Sequence, residues 1–295
     1  MSPGMLAVVA AHLIWGFAPL YWVLITDVSA FNLVAHRALW SLALLLIALA
    51  VMGRLGATLR QLREPRILAT VATSSLAQAI NWCLFVWAVT HDHATEASLG
   101  YFLLPLVNVL IGVVVLRERI DRAQSIAIGL ATAGVALLLV ESGGLPWIAL
   151  GVSLSFGTYG LVRKVVTIGA LEGLTMETLL MAPAASLWLY WNDGGGFLQH
   201  GWSVDALLIG GGVLTIVPLL LYVVASHRLA LTAMGLAFYI GPSMQFLVAV
   251  FIFEEPIRPL QLASFALVWL GLACIIADTL RRYRNLRAVS SACDP

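Results

Sequence analysis

The chain has 295 residues, 61% of them hydrophobic and only 11% charged, with a formal net charge of +1. A mean hydropathy of +0.97 is more apolar surface than a soluble domain of this length can hide in one core. That excludes a soluble globular protein and points to an all-α polytopic membrane protein.

A spanning helix must cover about 30 Å of hydrocarbon at about 1.5 Å per residue. Ten apolar runs are long enough: 5–25, 31–52, 67–89, 95–116, 123–140, 146–162, 174–191, 206–225, 232–253 and 260–280. They lack the period-2 alternation of barrel strands, and lipid offers backbone amides no partner, so the runs are expected to be helices. The first has neither an Arg/Lys-rich start nor a small-residue cleavage site and reads as a retained helix. It carries Trp15 and His12, the latter expected to be a packing residue. The second holds His36 and Arg37 about 8 Å from its start, where they either snorkel outward or face a water-filled vestibule. Asn81 and Trp82 sit in the third. The fourth opens on Glu96, which either complements the helix dipole or pairs with Arg37, and continues through Tyr101, Pro105 and Asn108.

The runs 146–162 and 174–191 are short. Tyr159 lies in the former, and Glu177 with Thr178 in the first turn of the latter, where the carboxylate is either one side of a gate or simply in interfacial water. The ninth run carries Tyr239, Pro242 and Gln245. Trp15, Asn81, Trp82, Tyr101 and Tyr239 are candidates either to line an apolar cavity or to pack.

Lysine and arginine set the expected orientation. With the N-terminus in the cytoplasm, the inside segments hold Arg54, Arg60, Arg63, Arg66, Arg117, Arg119, Arg122, Arg163, Lys164, Arg228, Arg281, Arg282, Arg284 and Arg287, leaving only Arg258 in an outside loop and Arg37 within a span. The positive-inside rule then puts both termini in the cytoplasm. Cys83, Cys274 and Cys293 are expected to be free thiols. The spacing His91-Asp92-His93 is a weak metal signal.

Shifted by 137 residues, "EASLGYFLLPLVNVLIGVVVLRERID" (96–121) lands on "AMGLAFYIGPSMQFLVAVFIFEEPIR" (233–258). Pro105 meets Pro242, Glu118 meets Glu255, Gln124 meets Gln261, and Asn108 meets the similar amide Gln245. A shift of 141 places Gly16 on Gly157 and His36-Arg37 on Glu177-Thr178. The chain therefore reads as a duplication: a first half, 1–140, a second, 146–280, and a basic cytoplasmic tail, 281–295. Five helices per half is an odd number, so the second half enters from the opposite side and the repeat is inverted. Such repeats place substrate sites near the bilayer midplane on interrupted helices. Pro105 and Pro242 each free the carbonyl four residues earlier, on Tyr101 and Phe238. Glu118 and Glu255 are expected to be interfacial anchors.

The segments "WGFAPLYW" (15–22), "HRALWS" (36–41), "NWCLFVWAV" (81–89), "EASLGYFLLPLVNVLIG" (96–112), "YGLVRK" (159–164), "MET" (176–178) and "FYIGPS" (238–243) resemble the RarD group of EamA-type proteins in the drug/metabolite transporter superfamily. The resemblance spans essentially the whole chain. It implies a bacterial inner-membrane transporter, linked by name to chloramphenicol sensitivity. With no phosphate loop and no ATP-binding domain, secondary transport of a small metabolite or drug is the expected function, with export favoured. The alternative is a membrane-embedded enzyme or an assembly factor, for which no G-x-S-x-G or H-E-x-x-H constellation is present. The expected partners are a small-molecule solute and membrane lipid, with a homodimer allowed, no nucleic acid and no cofactor. Proton coupling would have to use His12, His36, Glu96 or Glu177.

Overall fold

The computed structural model describes residues 2–91, 93–142, 147–254, 256 and 259–292, and among these every regular element is a helix. In chain order they are α1 (Pro3–Trp22), α2 (Ala30–Val51), α3 (Leu55–Gln61), α4 (Pro65–Thr90), α5 (Ala94–Val114), α6 (Arg122–Ser142), α7 (Trp147–Val165), α8 (Ala170–Trp191), α9 (Trp202–Ser226), α10 (Leu231–Phe238), α11 (Ile240–Phe251) and α12 (Pro259–Ala292). With α10 and α11 taken as one interrupted run, each expected apolar run coincides with a helix. The short α3, inside the arginine-rich segment 53–66, was not expected.

Eight of the described helices are long and apolar enough to cross a membrane, and α7 and α8 are not among them. Arg163 and Lys164 lie in the last turn of α7, and Glu172 and Glu177 interrupt α8. Protein surrounds these charges: Arg163 and Glu177 are each 2% exposed. The start of α8 also corrects an expectation. It begins at Ala170, four residues before the apolar run, so Glu177 lies well inside the helix and buried, not in first-turn interfacial water. At the C-terminus, α12 continues to Ala292, so 281–292 extends the last helix where a separate tail was expected; Cys293 lies outside the described residues.

The two aligned prolines, Pro105 and Pro242, behave differently. α5 runs unbroken through Pro105, whereas the second run breaks at Tyr239, three residues before Pro242. Only Pro242 interrupts its helix. The outside donor for the first helix is the Tyr239 hydroxyl, which reaches the carbonyl of Phe102 at 3.2 Å, one residue beyond the expected Tyr101.

Backbone geometry repeats at the 137-residue shift. α5 spans 94–114 and α10 with α11 spans 231–251, while α6 and α12 start at 122 and 259. The residues that end the two pairs, Arg117 and Glu254, are both left-handed at φ 55°, a conformation few side chains adopt. Glu255 and Arg258 lie outside the described residues. Helix contacts also interchange: α1 packs on α9 and α11 of the second half, while α7 packs on α4 and α5 of the first. α2 with α8 and α9, α5 with α10, and α6 with α12 form the remaining principal pairs. The opening helix of each half is thus embedded in the other, and the central core lies between them, with Trp82, Phe156, Tyr159, Tyr222 and Phe238 buried in it.

Candidate functional site

A cavity of about 430 Å³ lies between the halves. Among the residues singled out above, Trp15, Asn81, Trp82, Tyr101, Pro242 and Gln245 border it. Its floor is aromatic, with Phe156 and Phe238 beside His12 and Trp15, whose rings meet edge-on at 5.3 Å. From this floor it extends past Trp22, Ser98 and Gln261, which lie at the end of α1 and near the starts of α5 and α12. It therefore reaches toward the end of the molecule opposite the arginine-rich loops.

At that end, Arg37 is held behind the wall. Its guanidinium carbon lies 5.1 Å from the Trp22 ring and 5.0 Å from the Trp82 ring, and its Nε donates to Thr215 Oγ1 at 2.9 Å. Glu96 is not its partner: Glu96 Oε1 accepts from His93 Nδ1 at 3.0 Å, a neighbour one helical turn away. His36 neither snorkels nor borders the main cavity. It is buried, its Nε2 donates to the Gly194 carbonyl at 3.1 Å, and its ring lies against Phe197.

At the basic end lies a buried polar layer. Ser74 Oγ donates to Glu177 Oε1 at 2.6 Å, and Arg163 Nη1 lies 3.6 Å from the same oxygen. Gly173 is what permits this, since a Cβ there would collide with the Arg163 guanidinium. Arg54 pairs with Glu172 across the loop. Glu118 is more than a loop anchor: it accepts from the backbone N–H groups of Leu231 and Thr232 at 2.7 and 2.9 Å and from Thr232 Oγ1 at 2.8 Å. It thereby caps the start of α10 from the other half. Gly112 makes room for that carboxylate, because a Cβ would sit 2.7 Å from Glu118 Oε2. Lys164 Nζ lies 3.8 Å from Glu118 and donates to the Leu229 carbonyl.

The remaining expected residues lie between these regions. Tyr159 is fully buried against Phe156 and Tyr222, and Tyr239 is buried where α5 and α10 cross. Pro105 packs its carbonyl against Gly235, and Asn108 is fully buried between Gly157 and Gly235, with neither amide atom finding a partner among the described residues. Of the weak metal signal, His91 and His93 stack on Trp87 and Asp92 lies outside the described residues. No group of three metal-binding side chains occurs among the described residues.

Sequence reasoning missed Gln78, Ser74 and the burial of Arg163, and used Gln261 only as the counterpart of Gln124. Gln78 had a signal, standing three residues before Asn81 on the same helical face. Arg163 had none, because a cation beside a loop reads as solvated.

Comparison with known proteins agrees with this architecture. Residues 2–140 match the EamA-like transporter family. Protein RarD of Streptomyces exfoliatus is 40% identical over 99% of this chain and 94% of its own length, and Protein RarD of Escherichia coli K12 is 37% identical over 96% of each. The uncharacterized transporter YojE of Bacillus subtilis is 34% identical over 91% of this chain and 92% of its own. A solved crystal structure with a TM-score of 0.70 covers 92% of this chain and 97% of its own at 19% identity, a likeness of fold alone. With near-full-length identity at this level, the chain belongs to the EamA-like transporter family, as a multi-pass membrane protein of its RarD group.

Proposed function

We propose that this protein is a secondary transporter that moves a small solute by alternating access, with the central cavity as the solute site. In this reading the chain crosses the bacterial inner membrane ten times in two inverted five-helix halves, 1–140 and 146–280, with the basic end and both termini in the cytoplasm. The observation that carries it is a cavity between the halves that reaches one end while a buried ion pair closes the other. Further support comes from the interchange of helix partners between the halves and from the backbone repeat at 137 residues. An inverted repeat has two related arrangements available, and exchanging them moves the opening from one end to the other.

Export is the proposed direction. A relative from Pseudomonas aeruginosa, 31% identical over 96% of each chain, is named chloramphenicol-sensitive protein RarD, which makes chloramphenicol the first solute to test. Proteoliposomes preloaded with unlabelled chloramphenicol should accumulate the labelled compound faster than protein-free vesicles. Ala249→Trp, which fills the cavity, should abolish the difference. Equal accumulation with and without protein removes the transport reading for this solute. Topology is tested separately: Gln199→Cys should react with an impermeant thiol reagent in whole cells and Arg60→Cys should not, and the reverse pattern overturns the orientation.

A further inference from the structure

We infer that the cavity selects uncharged aromatic molecules that present hydrogen-bond donors, a substrate class that rests on the cavity being the solute site. Two of its polar walls are set as acceptors by backbone carbonyls. Asn81 Nδ2 donates to the Val152 carbonyl at 2.8 Å, which fixes the amide orientation and leaves Oδ1 as an acceptor. His12 Nδ1 lies 2.6 Å from the Val8 carbonyl. A carbonyl can only accept, so Nδ1 carries the proton and a neutral ring presents Nε2 as a lone pair. Asn81 Oδ1, His12 Nε2 and Gln78 Oε1 are all buried without a partner among the described residues, and all three residues border the cavity. A buried acceptor left unpaired is costly, so a ligand donor that reaches one gains more than it would in water.

Charge is treated differently. The described lining residues include no Asp, Glu, Lys or Arg, so an ionic ligand would find no counter-ion among them. Arg37 behind Trp22 and Trp82 adds positive potential that opposes a cation. Those two tryptophans, with Trp15, Phe156 and Phe238, offer faces and edges to a planar ring.

Saturation-transfer NMR on the purified full-length protein tests this with four probes: phenylurea, its fully N-methylated analogue, benzoate and benzylammonium. Phenylurea should bind at least about tenfold more tightly than its methylated analogue, the span expected for pairing a buried acceptor, and both ions should bind more weakly still. In Asn81→Leu and in His12→Phe, each checked for a monodisperse profile, the preference should shrink toward unity. Equal binding of phenylurea and its methylated analogue, tighter binding of either ion, or no binding of phenylurea overturns the inference. Donor preference without flux would remove the transport reading and leave this one standing; flux without donor preference would do the opposite.

Discussion

The two ends of the molecule use equivalent positions for different chemistry. At the 141-residue shift, Trp22 corresponds to Arg163, His36 to Glu177, Arg37 to Thr178, and Thr215 to Ser74. At the basic end, these positions form a buried ion pair with a hydroxyl donor on the carboxylate. At the other end, the cation Arg37 stands one residue after the counterpart of Glu177, bonds to the equivalent hydroxyl and lies over Trp22, which replaces Arg163. A charge pair in low dielectric is strong but fails badly when one partner is lost. A cation held between indole faces is weaker and yields more easily. The comparison teaches that one framework can hold a buried ion pair at one end and a cation between indole rings at the other by exchanging a few side chains.

Removing half of the ion pair should break this comparison most severely. Glu177→Gln leaves Arg163 buried without a counter-charge, and a loss of about 3–5 kcal/mol in stability is expected. Thermal unfolding measures it, and Arg163→Met combined with Glu177→Gln should recover most of the loss. At the other end, Arg37→Gln removes the contact with two rings and should cost about 2 kcal/mol by the same measurement. An effect of Arg37→Gln equal to that of Glu177→Gln would refute the contrast between the ends.

Glu118→Gln sharpens it further. The neutral amide gives up the charge-assisted caps on Leu231 and Thr232, for an expected cost of about 1 kcal/mol. Thiol labelling of a cysteine at Leu229 should rise as the basic end loosens; unchanged labelling would make the cap a purely local bond. The prolines offer the smallest stability effect, below about 1 kcal/mol, but a directional one. Pro242→Ala should let α10 and α11 join and lower flux, while Pro105→Ala, in a helix already continuous, should leave flux unchanged. Equal losses would mean that both prolines shape the path.

Much of the framework was legible in the chain because lipid makes it so. Backbone groups must be paired within each span, and only long apolar helices do that, so Leu- and Val-rich runs announced themselves. The aligned prolines Pro105 and Pro242 and the amides Asn108 and Gln245 suggested a repeat because they recur at one fixed shift, and an amide is costly in hydrocarbon. α8 escaped this logic. Its first four residues, "ALEG" (170–173), fall outside the apolar run, since Glu172 is costly in lipid and Gly173 is a weak helix former. Arg54, distant in sequence, and Arg163, in the preceding helix, make both residues useful where they stand.

What the sequence by itself determined is the all-helical membrane plan and the family, both of which follow from composition, spacing and motif order along one dimension. Which polar residues meet was decided only by the tertiary structure. Glu96 found His93 in place of Arg37, Arg37 found two tryptophans, Glu177 found Arg163 and Ser74, and Glu118 found the start of α10. The physical reason is that a charge in a low-dielectric interior is settled by whatever lies within a few ångströms of it. His93 is a local neighbour of Glu96, but Trp82, Ser74 and the start of α10 come from helices distant in sequence from Arg37, Glu177 and Glu118, an arrangement that no local pattern encodes.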